Sequence, residues 1–252
     1  MEKYEAILRM WRSFAVKSET DIDLRLHHFR ELFAYHSGKI ENEAVTWHDT
    51  HEIFANGRAL RYTGDPRALF EQRNQKLCYA LLRAKIAARE PLSLALILET
   101  HRALTEGTYD ERRYIDLGER PGTFKKNDYV TGRWEVGAPP DEVEAELASL
   151  LEELSELPPG TDILRAAAYL HARFEFIHPF ADGNGRVGRT LLNYFLMTRD
   201  HPPVILHEED KASYYAALES YDRSEELQPM VDFLREQLIR TWERTLARNE
   251  SQ

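Results

Sequence analysis

Apolar side chains recur every three or four residues along most of this chain, which is the spacing that gathers them on one face of an α-helix. The first two stripes are Tyr4, Ile7, Leu8, Trp11, Phe14 and Ile22, Leu26, Phe29, Phe33. Capping residues and prolines then bound three further predicted helices, one from Thr46 to Gly57, one from Pro66 to about Ala88, and one from Ser93 to about Leu104. The pattern predicts a mainly α fold.

The second half of the chain carries five more predicted helices. A helix opened by Pro139-Pro140-Asp141 ends at Pro158-Pro159-Gly160, and the next, with Thr161 as its predicted cap, ends near His178 because Pro179 disfavours helical geometry before it. Another begins around Asn184 to Arg186. The last two are expected over Asp210 to Tyr221 and Met230 to Trp242.

The helical period disappears between Gly107 and Pro140. Three runs in this segment favour extended geometry, separated by turns at Pro121-Gly122 and Gly132. They are Tyr114-Ile115-Asp116-Leu117, Tyr129-Val130-Thr131 and Arg133-Trp134-Glu135-Val136. We therefore predict a small β-hairpin here, either as a functional element or as part of an ordinary loop.

Composition narrows the function classes. The 33 lysines and arginines against 43 aspartates and glutamates give a net charge of −10, which disfavours nonspecific nucleic-acid binding. The single cysteine, Cys78, excludes an intramolecular disulfide and a zinc site built from several cysteines. The longest apolar run, around Leu92 to Leu98, is too short to cross a membrane, and the residues from Met1 to Glu5 lead into no apolar signal segment. These features predict a cytoplasmic protein with no membrane partner.

One dense stretch, from His178 to Arg189, joins two of the predicted helices. Gly183 and Gly185 let the backbone approach a ligand closely, and the helix that starts beside them presents free N–H groups to an anion. Arg186 and Arg189 stand three residues apart on that helix, so both guanidinium groups can reach one polyphosphate. The stretch therefore predicts a phosphate site.

Two further side chains add chemistry to this phosphate site. Asp182 offers a hard oxygen ligand for Mg²⁺, which commonly bridges one carboxylate and substrate phosphates. His178 is a residue type that can serve as a general base for a hydroxyl aimed at the bound phosphorus. A plain turn between helices needs neither residue, so we interpret the stretch as catalytic.

The stretch matches at every specified position the motif His-Pro-Phe-x-Asp/Glu-Gly-Asn-Gly-Arg-x-x-Arg, and in this it resembles the Fic family. The resemblance implies a Fic-like helical bundle with a small β-hairpin flap that aligns a target segment by strand addition. It implies a single domain over 1–252, with helices of about 20–60 carrying an inhibitory motif and a Fic core of about 65–240.

Fic enzymes typically transfer AMP from ATP to a hydroxyl of a target protein, so the resemblance implies a protein adenylyltransferase acting on serine, threonine or tyrosine. His178 would be the general base, and Asp182 the ligand of the cofactor Mg²⁺. The residues that would hold ATP are Gly183, Asn184, Gly185, Arg186, Arg189 and the pair Tyr214 and Tyr215 near the base. The related Doc branch has lysine where this chain has Gly185, which favours nucleotidyl transfer over phosphorylation.

A second segment, from Ser37 to Asn42, fits the pattern Ser/Thr-x-x-x-Glu-Gly/Asn of autoinhibited Fic proteins. Ser37 and Glu41 are four residues apart, so one helical turn puts both on the same face. The resemblance implies that Glu41 pairs with Arg189 and bars productive placement of the γ-phosphate.

Two alternatives to autoinhibited AMP transfer stay open. The chain could remove AMP from a modified target, with Glu41 orienting or activating water, or it could be a noncatalytic module that senses a nucleotide. A homo-oligomer is also possible.

Overall fold

The computed structural model describes residues 2–59, 62 and 64–250. These residues are mainly helical, in agreement with the apolar pattern. The eleven α-helices of the described part of the chain are α1 Glu2–Ser13, α2 Glu19–Arg25, α3 Phe29–Glu41, α4 Trp47–Asn56, α5 Pro66–Ala87, α6 Leu94–Thr105, α7 Val143–Ser155, α8 Ile163–Ile177, α9 Asn184–Thr198, α10 Lys211–Ser224 and α11 Gln228–Glu250. A π-helical turn covers Arg112–Asp116, and a 3-10 turn covers Glu208–Asp210.

Local capping sets most helix starts where the sequence predicts them. The side chains of Thr46, Asp65 and Ser93 each accept a hydrogen bond from a backbone N–H in the first turn of α4, α5 and α6. The predicted cap Thr161 was wrong by one residue, because the Asp162 carboxylate accepts from the N–H groups of both Leu164 and Arg165.

The helix predicted from Ile22 to Phe33 is two helices, α2 and α3, with a break between them. Ile22, Leu26 and Phe29 are all buried across the break. Because both short helices turn the same side towards the core, the apolar spacing continues through the break and does not reveal it.

The core is organised around α8 and α9, which pack against each other on either side of the dense motif. Helices α3, α5 and α6 cover α9, while α7, α10 and α11 cover α8. α1 packs on α11, where the rings of Trp11 and Trp242 meet at 5.2 Å between centroids. The helix that begins the predicted phosphate site is therefore held by packing on several sides, which fixes the direction of its N-terminus.

The predicted small β-hairpin was wrong. The only pairing in the described part of the segment is one antiparallel bridge, in which Thr131 and Val136 exchange N–H···O bonds of 2.9 and 3.0 Å. The run from Tyr114 to Leu117, predicted as extended, contributes to the π-helical turn instead. Positive φ angles at Gly132 (+69°) and Glu135 (+49°) close the bridge into a tight loop.

Side chains take the hydrogen bonds that a strand ladder would need. The buried carboxylate of Glu119 accepts from the backbone N–H of Lys126 at 3.0 Å and of Asn127 at 3.2 Å, and from the Asn127 amide at 2.8 Å. These bonds satisfy the backbone locally, so the segment is ordered without strands.

Among the helices of the described residues, none combines the length and the apolar character needed to cross a membrane.

Candidate active site

The motif begins where α8 stops. His178 has φ +51° and ψ +61°, a left-handed conformation, and its N–H donates to the Phe174 carbonyl at 3.1 Å. Non-glycine residues take this conformation at a cost, so surrounding contacts must hold it. Gly183, with φ +84°, then turns the chain into α9. The loop between the two helices is six residues, 178 to 183.

The side chain of Asn184 stabilises the loop by hydrogen bonds to its backbone. Its amide group spans the turn, with Oδ1 accepting from the Phe180 N–H at 2.9 Å and Nδ2 donating to the Phe180 carbonyl at 2.7 Å. Asn184 was predicted to bind nucleotide, but the structure commits both polar atoms of its side chain to the loop. Its backbone N–H remains on the open end of the helix.

His101 of α6 fastens the loop from outside. Its ring stacks on Phe180 with centroids 3.7 Å apart, and the Gly122 N–H donates to its Nδ1 at 2.9 Å. Nε2 therefore carries the proton and donates to the Asp182 carbonyl at 3.1 Å. Burial lowers the pKa of His101 to about 3, which keeps the ring neutral. The sequence suggested only a packing or solvated histidine, and the structure makes it a support of the motif.

The start of α9 forms an open donor site. No described residue accepts a hydrogen bond from the N–H groups of Asn184, Gly185 or Arg186, the first three residues of the helix. The helix has 15 residues, and Gly183 ahead of it provides no side-chain cap. Free N–H groups with the positive end of the helix dipole bind anions.

Arg189 lies one turn further along α9 and is held by α3. Its Nε donates to Ser37 Oγ at 2.9 Å, and its Nη2 donates to the Ser37 carbonyl at 3.0 Å and to Glu41 Oε1 at 2.7 Å. The Arg189 side chain is only 1% exposed. Burial opposes its charge, but the adjacent Glu41 leads a net rise in the pKa of Arg189. The structure thus brings Ser37 and Glu41 to Arg189.

A glycine makes room for this ion pair. A Cβ added at Gly185 would lie 2.4 Å from Glu41 Oε1 and 2.9 Å from Arg189 Nη1. Asn42, the third residue of the predicted inhibitory set, does not reach the motif. It ends α3, and its Oδ1 accepts from the Ala44 N–H at 2.9 Å.

A cavity of about 220 Å³ opens beside this ion pair. Its wall includes residues from α3, the α8 end, α9, α10 and the 131–136 loop. They are Glu41, Thr131, Gly132, Val136, Glu175, His178, Gly185, Arg189, Tyr214, Tyr215, Leu218, Glu219 and Asp222. A wider cleft of about 940 Å³ between α1 and α11 contains none of the motif residues.

His178 enters this cavity as a neutral base. Burial is the main cause that lowers its pKa to about 4, and the charge of Lys125 contributes in the same direction. Lys125 is itself buried and donates through Nζ to the Tyr129 carbonyl at 2.9 Å. At neutral pH the His178 imidazole is therefore free to accept a proton.

The tyrosine pair divides between the core and the cavity. Tyr214 is buried and its hydroxyl bonds the Nε2 of His171 at 2.8 Å. Tyr215 is 40% exposed and offers the more accessible ring, 5.2 Å from that of Tyr214.

Asp182 and Arg186 turn to the other side of α9, towards α5. Asp182 Oδ2 accepts from Arg67 Nη2 at 2.6 Å, and its Oδ1 lies 3.5 Å from Arg186 Nη2. Arg186 is 2% exposed and also pairs with the buried Glu71 at 3.2 Å. Neither lines the 220 Å³ cavity. No group of three or more histidines, cysteines or acids suited to a metal occurs among the described residues.

Sequence reasoning missed Glu175, Arg67 and Glu71. Burial raises the pKa of Glu175 to about 8, and its shielded Oε1 has no hydrogen-bond partner among the described residues. Its only sequence signal is an acid in an otherwise apolar stretch of α8. Arg67 and Glu71 stand four apart, a spacing so common on helix surfaces that it singles nothing out.

Residues 91–196 match the Fic/DOC family. Over 194 residues the chain is 29% identical to the protein adenylyltransferase fic-1 of Caenorhabditis elegans, covering 74% of this chain and 35% of that protein. Over 208 residues it is 29% identical to the protein adenylyltransferase Fic of Drosophila virilis, covering 79% and 39%. The chain spans about a third of the length of the curated relatives it matches.

Solved structures show the same fold. A Fic domain containing signaling protein from Bacteroides thetaiotaomicron superposes with a TM-score of 0.79 at 23% identity, covering 97% of this chain and 95% of that chain. Fic-1 from C. elegans superposes with a TM-score of 0.81 at 22% identity, covering 99% and 72%. The contiguous motif, the match of residues 91–196 to the Fic/DOC family and the fold shared with Fic-domain structures agree with one another.

Proposed function

We propose that this domain is a Mg²⁺-dependent protein adenylyltransferase that transfers AMP from ATP to a hydroxyl of a target protein and releases pyrophosphate. The observation that carries the proposal is that His178 and Arg189 line one cavity at the open N-terminus of α9. A base, a buried cation and free backbone donors at one phosphate-sized site suit an in-line displacement at phosphorus. The curated relatives named protein adenylyltransferases support the same reaction.

In this mechanism His178 takes the proton of the attacking hydroxyl. Its lowered pKa of about 4 keeps it unprotonated at neutral pH, so the imidazole is available when the hydroxyl arrives. The backbone donors at Gly185 and its neighbours, with Arg189, hold the phosphate oxygens and stabilise the charge that develops on them.

Asp182 is the residue that would hold Mg²⁺. A cationic group already lies 2.6 Å from its Oδ2, so the carboxylate faces a position that a cation can occupy. With no cluster of further acidic ligands among the described residues, substrate phosphates and water would complete the coordination. The ion would neutralise charge on the phosphates during transfer.

Glu41 keeps this reaction low in the resting state. Its carboxylate, 2.7 Å from Arg189 Nη2, occupies the guanidinium that would otherwise bind the terminal phosphate. The bond is charge-assisted and Arg189 is almost fully buried, so a phosphate must displace a strong partner. Ser37 fixes the guanidinium in the plane that faces Glu41.

The test is protein labelling by ATP with a radioactive α-phosphate, in lysate, with four proteins. We expect weak labelling by the wild type, a strong rise with Glu41→Gly, and none with His178→Ala. Glu43→Gly is the matched control, because Glu43 is exposed and lies just beyond α3, so labelling should stay at the wild-type level. Labelling that persists in His178→Ala would refute the assignment of the base.

A second reaction has one observation in its favour. Glu41 is 34% exposed, lines the cavity together with His178, and uses only one of its two oxygens for Arg189. The other oxygen is free to orient water for removal of AMP from a modified target. Incubation with a pre-modified target tests this reaction. Faster removal of AMP by Glu41→Gly would exclude it.

The labelling experiment also distinguishes an enzyme from a noncatalytic domain. If calorimetry finds tight ATP binding by Glu41→Gly and no protein is labelled, the domain is a nucleotide-sensing module. That outcome would leave the phosphate site intact and remove the transfer step.

A further inference from the structure

Arg67 belongs to α5, outside the Fic motif, yet it makes the shortest ion pair of Asp182. Its Nη2 lies 2.6 Å from Asp182 Oδ2, and its Nε donates to Glu71 Oε1 at 2.9 Å. Glu71 in turn pairs with Arg186 at 3.2 Å, and Arg186 approaches Asp182 at 3.5 Å. Two arginines and two acids thus close a ring with no net charge.

From this ring we propose that Arg67 occupies the divalent-cation position of Asp182 until a nucleotide and its metal ion arrive, and that it competes with the ion for this carboxylate. The inference rests on the proposed function, because it takes Asp182 as the metal ligand. It adds a residue that sets how strongly the domain depends on the metal. Arg67 is thus a positioning residue that acts through Asp182.

The four charges are not equally free to move. Arg67 is 34% exposed, whereas Glu71 is 3% and Arg186 2% exposed. Arg67 sits in the first turn of α5, directly after Pro66, with the rest of its side chain reaching across to the motif loop. Of the two arginines that face Asp182, Arg67 is therefore the one that can swing into solvent without leaving a buried charge unpaired.

The other ion pair of the ring persists when Arg67 leaves. Glu71 keeps its pair with Arg186, and Asp182 Oδ1 keeps the Gly183 N–H at 2.8 Å. Oδ2 is then available to accept the incoming ion. Exchange of one cation for another leaves the carboxylate neutralised throughout, which avoids the cost of an unpaired charge next to a packed helix.

The competition has a measurable consequence. A charge-assisted hydrogen bond at this exposure is worth roughly a factor of ten in an equilibrium constant, so Arg67 should weaken the metal site about tenfold. In the nucleotide-free protein Asp182 should hold almost no divalent ion. The metal should bind well only when nucleotide phosphates add their oxygens to the site.

The experiment is calorimetric titration of an ATP analogue with a methylene bridge between the α- and β-phosphorus atoms, which cannot release pyrophosphate. Each protein is titrated once with saturating Mg²⁺ and once with chelator, and the ratio of the two dissociation constants measures the coupling of metal to nucleotide. The proteins are wild type, Arg67→Gln, Arg73→Gln and Asp182→Asn. Arg73 lies on α5, is exposed, and makes no ion pair with a described residue, so its variant controls for the loss of one positive charge.

We expect the coupling ratio of Arg67→Gln to be about ten times that of the wild type, with Arg73→Gln unchanged. Mn²⁺ binding at saturating analogue, followed by electron paramagnetic resonance, should tighten in Arg67→Gln by a similar factor. Thermal unfolding of each variant checks that the fold is retained, and Arg67→Lys repeats the test with the charge kept and the reach shortened.

Three results separate the possible failures. If Arg67→Gln weakens analogue binding in chelator and leaves the ratio unchanged, Arg67 binds phosphate and the competition is refuted. If Arg67→Gln and Arg73→Gln raise the ratio equally, the effect is general electrostatics and the competition is again refuted. If Asp182→Asn leaves the ratio as in wild type, the metal assignment of the proposed function fails first.

Discussion

Glu175 is a buried acid in the wall of the 220 Å³ cavity. Replacing it with glutamine should change how the free energy of unfolding depends on pH. Its pKa rises from 4.5 to about 8, first because of burial and then because of the nearby Glu41 and Asp222, although Arg189 opposes the rise. Its Oε1 lies 2.3 Å from where a Cβ on Gly188 would be, so the carboxyl group packs directly on the α9 backbone. The folded state therefore holds Glu175 protonated at neutral pH.

The sign and size follow from proton linkage. Between pH 4.5 and 8 the folded state retains a proton on Glu175 that the unfolded state has lost, so the contribution of Glu175 to the free energy of unfolding falls as pH rises through this window. One retained proton gives a slope of about −1.4 kcal/mol per pH unit. Six histidines whose pKa burial lowers in the folded state contribute in the opposite direction near pH 6.5, so the slope due to Glu175 is read as the difference between the wild type and Glu175→Gln. For a chain of this length, that slope corresponds to roughly 3–5 °C in melting temperature per pH unit.

The assay is urea unfolding at pH 6.5, 7.0 and 7.5 for wild type, Glu175→Gln and Glu219→Gln. Glutamine keeps the size of the side chain and cannot titrate, so the free energy of unfolding of the wild type minus that of Glu175→Gln should fall by about 1.4 kcal/mol per pH unit, and the variant should be more stable than wild type at pH 7.5. Glu219 is an exposed acid in the same cavity, and its variant should keep the wild-type slope. Parallel curves for wild type and Glu175→Gln would show that the Glu175 carboxyl is not held protonated, and the reasoning would be refuted.

Three further outcomes are expected around the same group. Gly188→Ala places a Cβ 2.3 Å from Glu175 Oε1 and should cost about 1–3 kcal/mol in urea unfolding, with recovery in the double variant with Glu175→Ala; no recovery would locate the clash elsewhere. Ser37→Ala orphans the buried Nε of Arg189 and should cost about 1–3 kcal/mol, a loss that vanishes in the background of Arg189→Met. Because the pKa of His178 is about 4, the transfer rate of Glu41→Gly protein should stay level from pH 8 to 5.5 and fall only near pH 4; an acid limb near 6.5 would contradict a buried neutral base.

Much of the helical architecture is predictable because its signals are local. The pairs Asp65-Pro66 and Thr46-Asp49 lie within one turn of the helix they start, so a capping side chain and its backbone partner appear together in the sequence. The motif loop is predictable for a similar reason, since His178 to Arg189 is contiguous. The hairpin was wrong because β-propensity reflects cross-strand partners, and here Glu119 satisfies the backbone instead.

The rest of the site depends on contacts between distant positions. Arg67 meets Asp182 across 115 positions of sequence, and Ser37 meets Arg189 across 152. Family resemblance implied the pairing of Glu41 with Arg189 but no contact of Ser37, and nothing comparable marks Arg67. Glu175 shows the same limit. An acid among apolar neighbours marks an unusual position in the sequence, but only the packing against α9 shows that the carboxyl group is buried.

Helix α3 holds Arg189 Nη2 through two separate acceptors, the main-chain carbonyl of Ser37 and the side-chain carboxylate of Glu41. The Ser37 carbonyl belongs to the main chain, so this acceptor, 3.0 Å from Nη2, persists whatever side chains stand at positions 37 and 41. The helix can therefore remain a fixed wall of the cavity while only the Glu41 carboxylate rotates away. Under the proposed inhibition by Glu41, control of the reaction needs the motion of one side chain on the nanosecond scale of rotamer changes, with no undocking of the helix and no unfolding of the bundle.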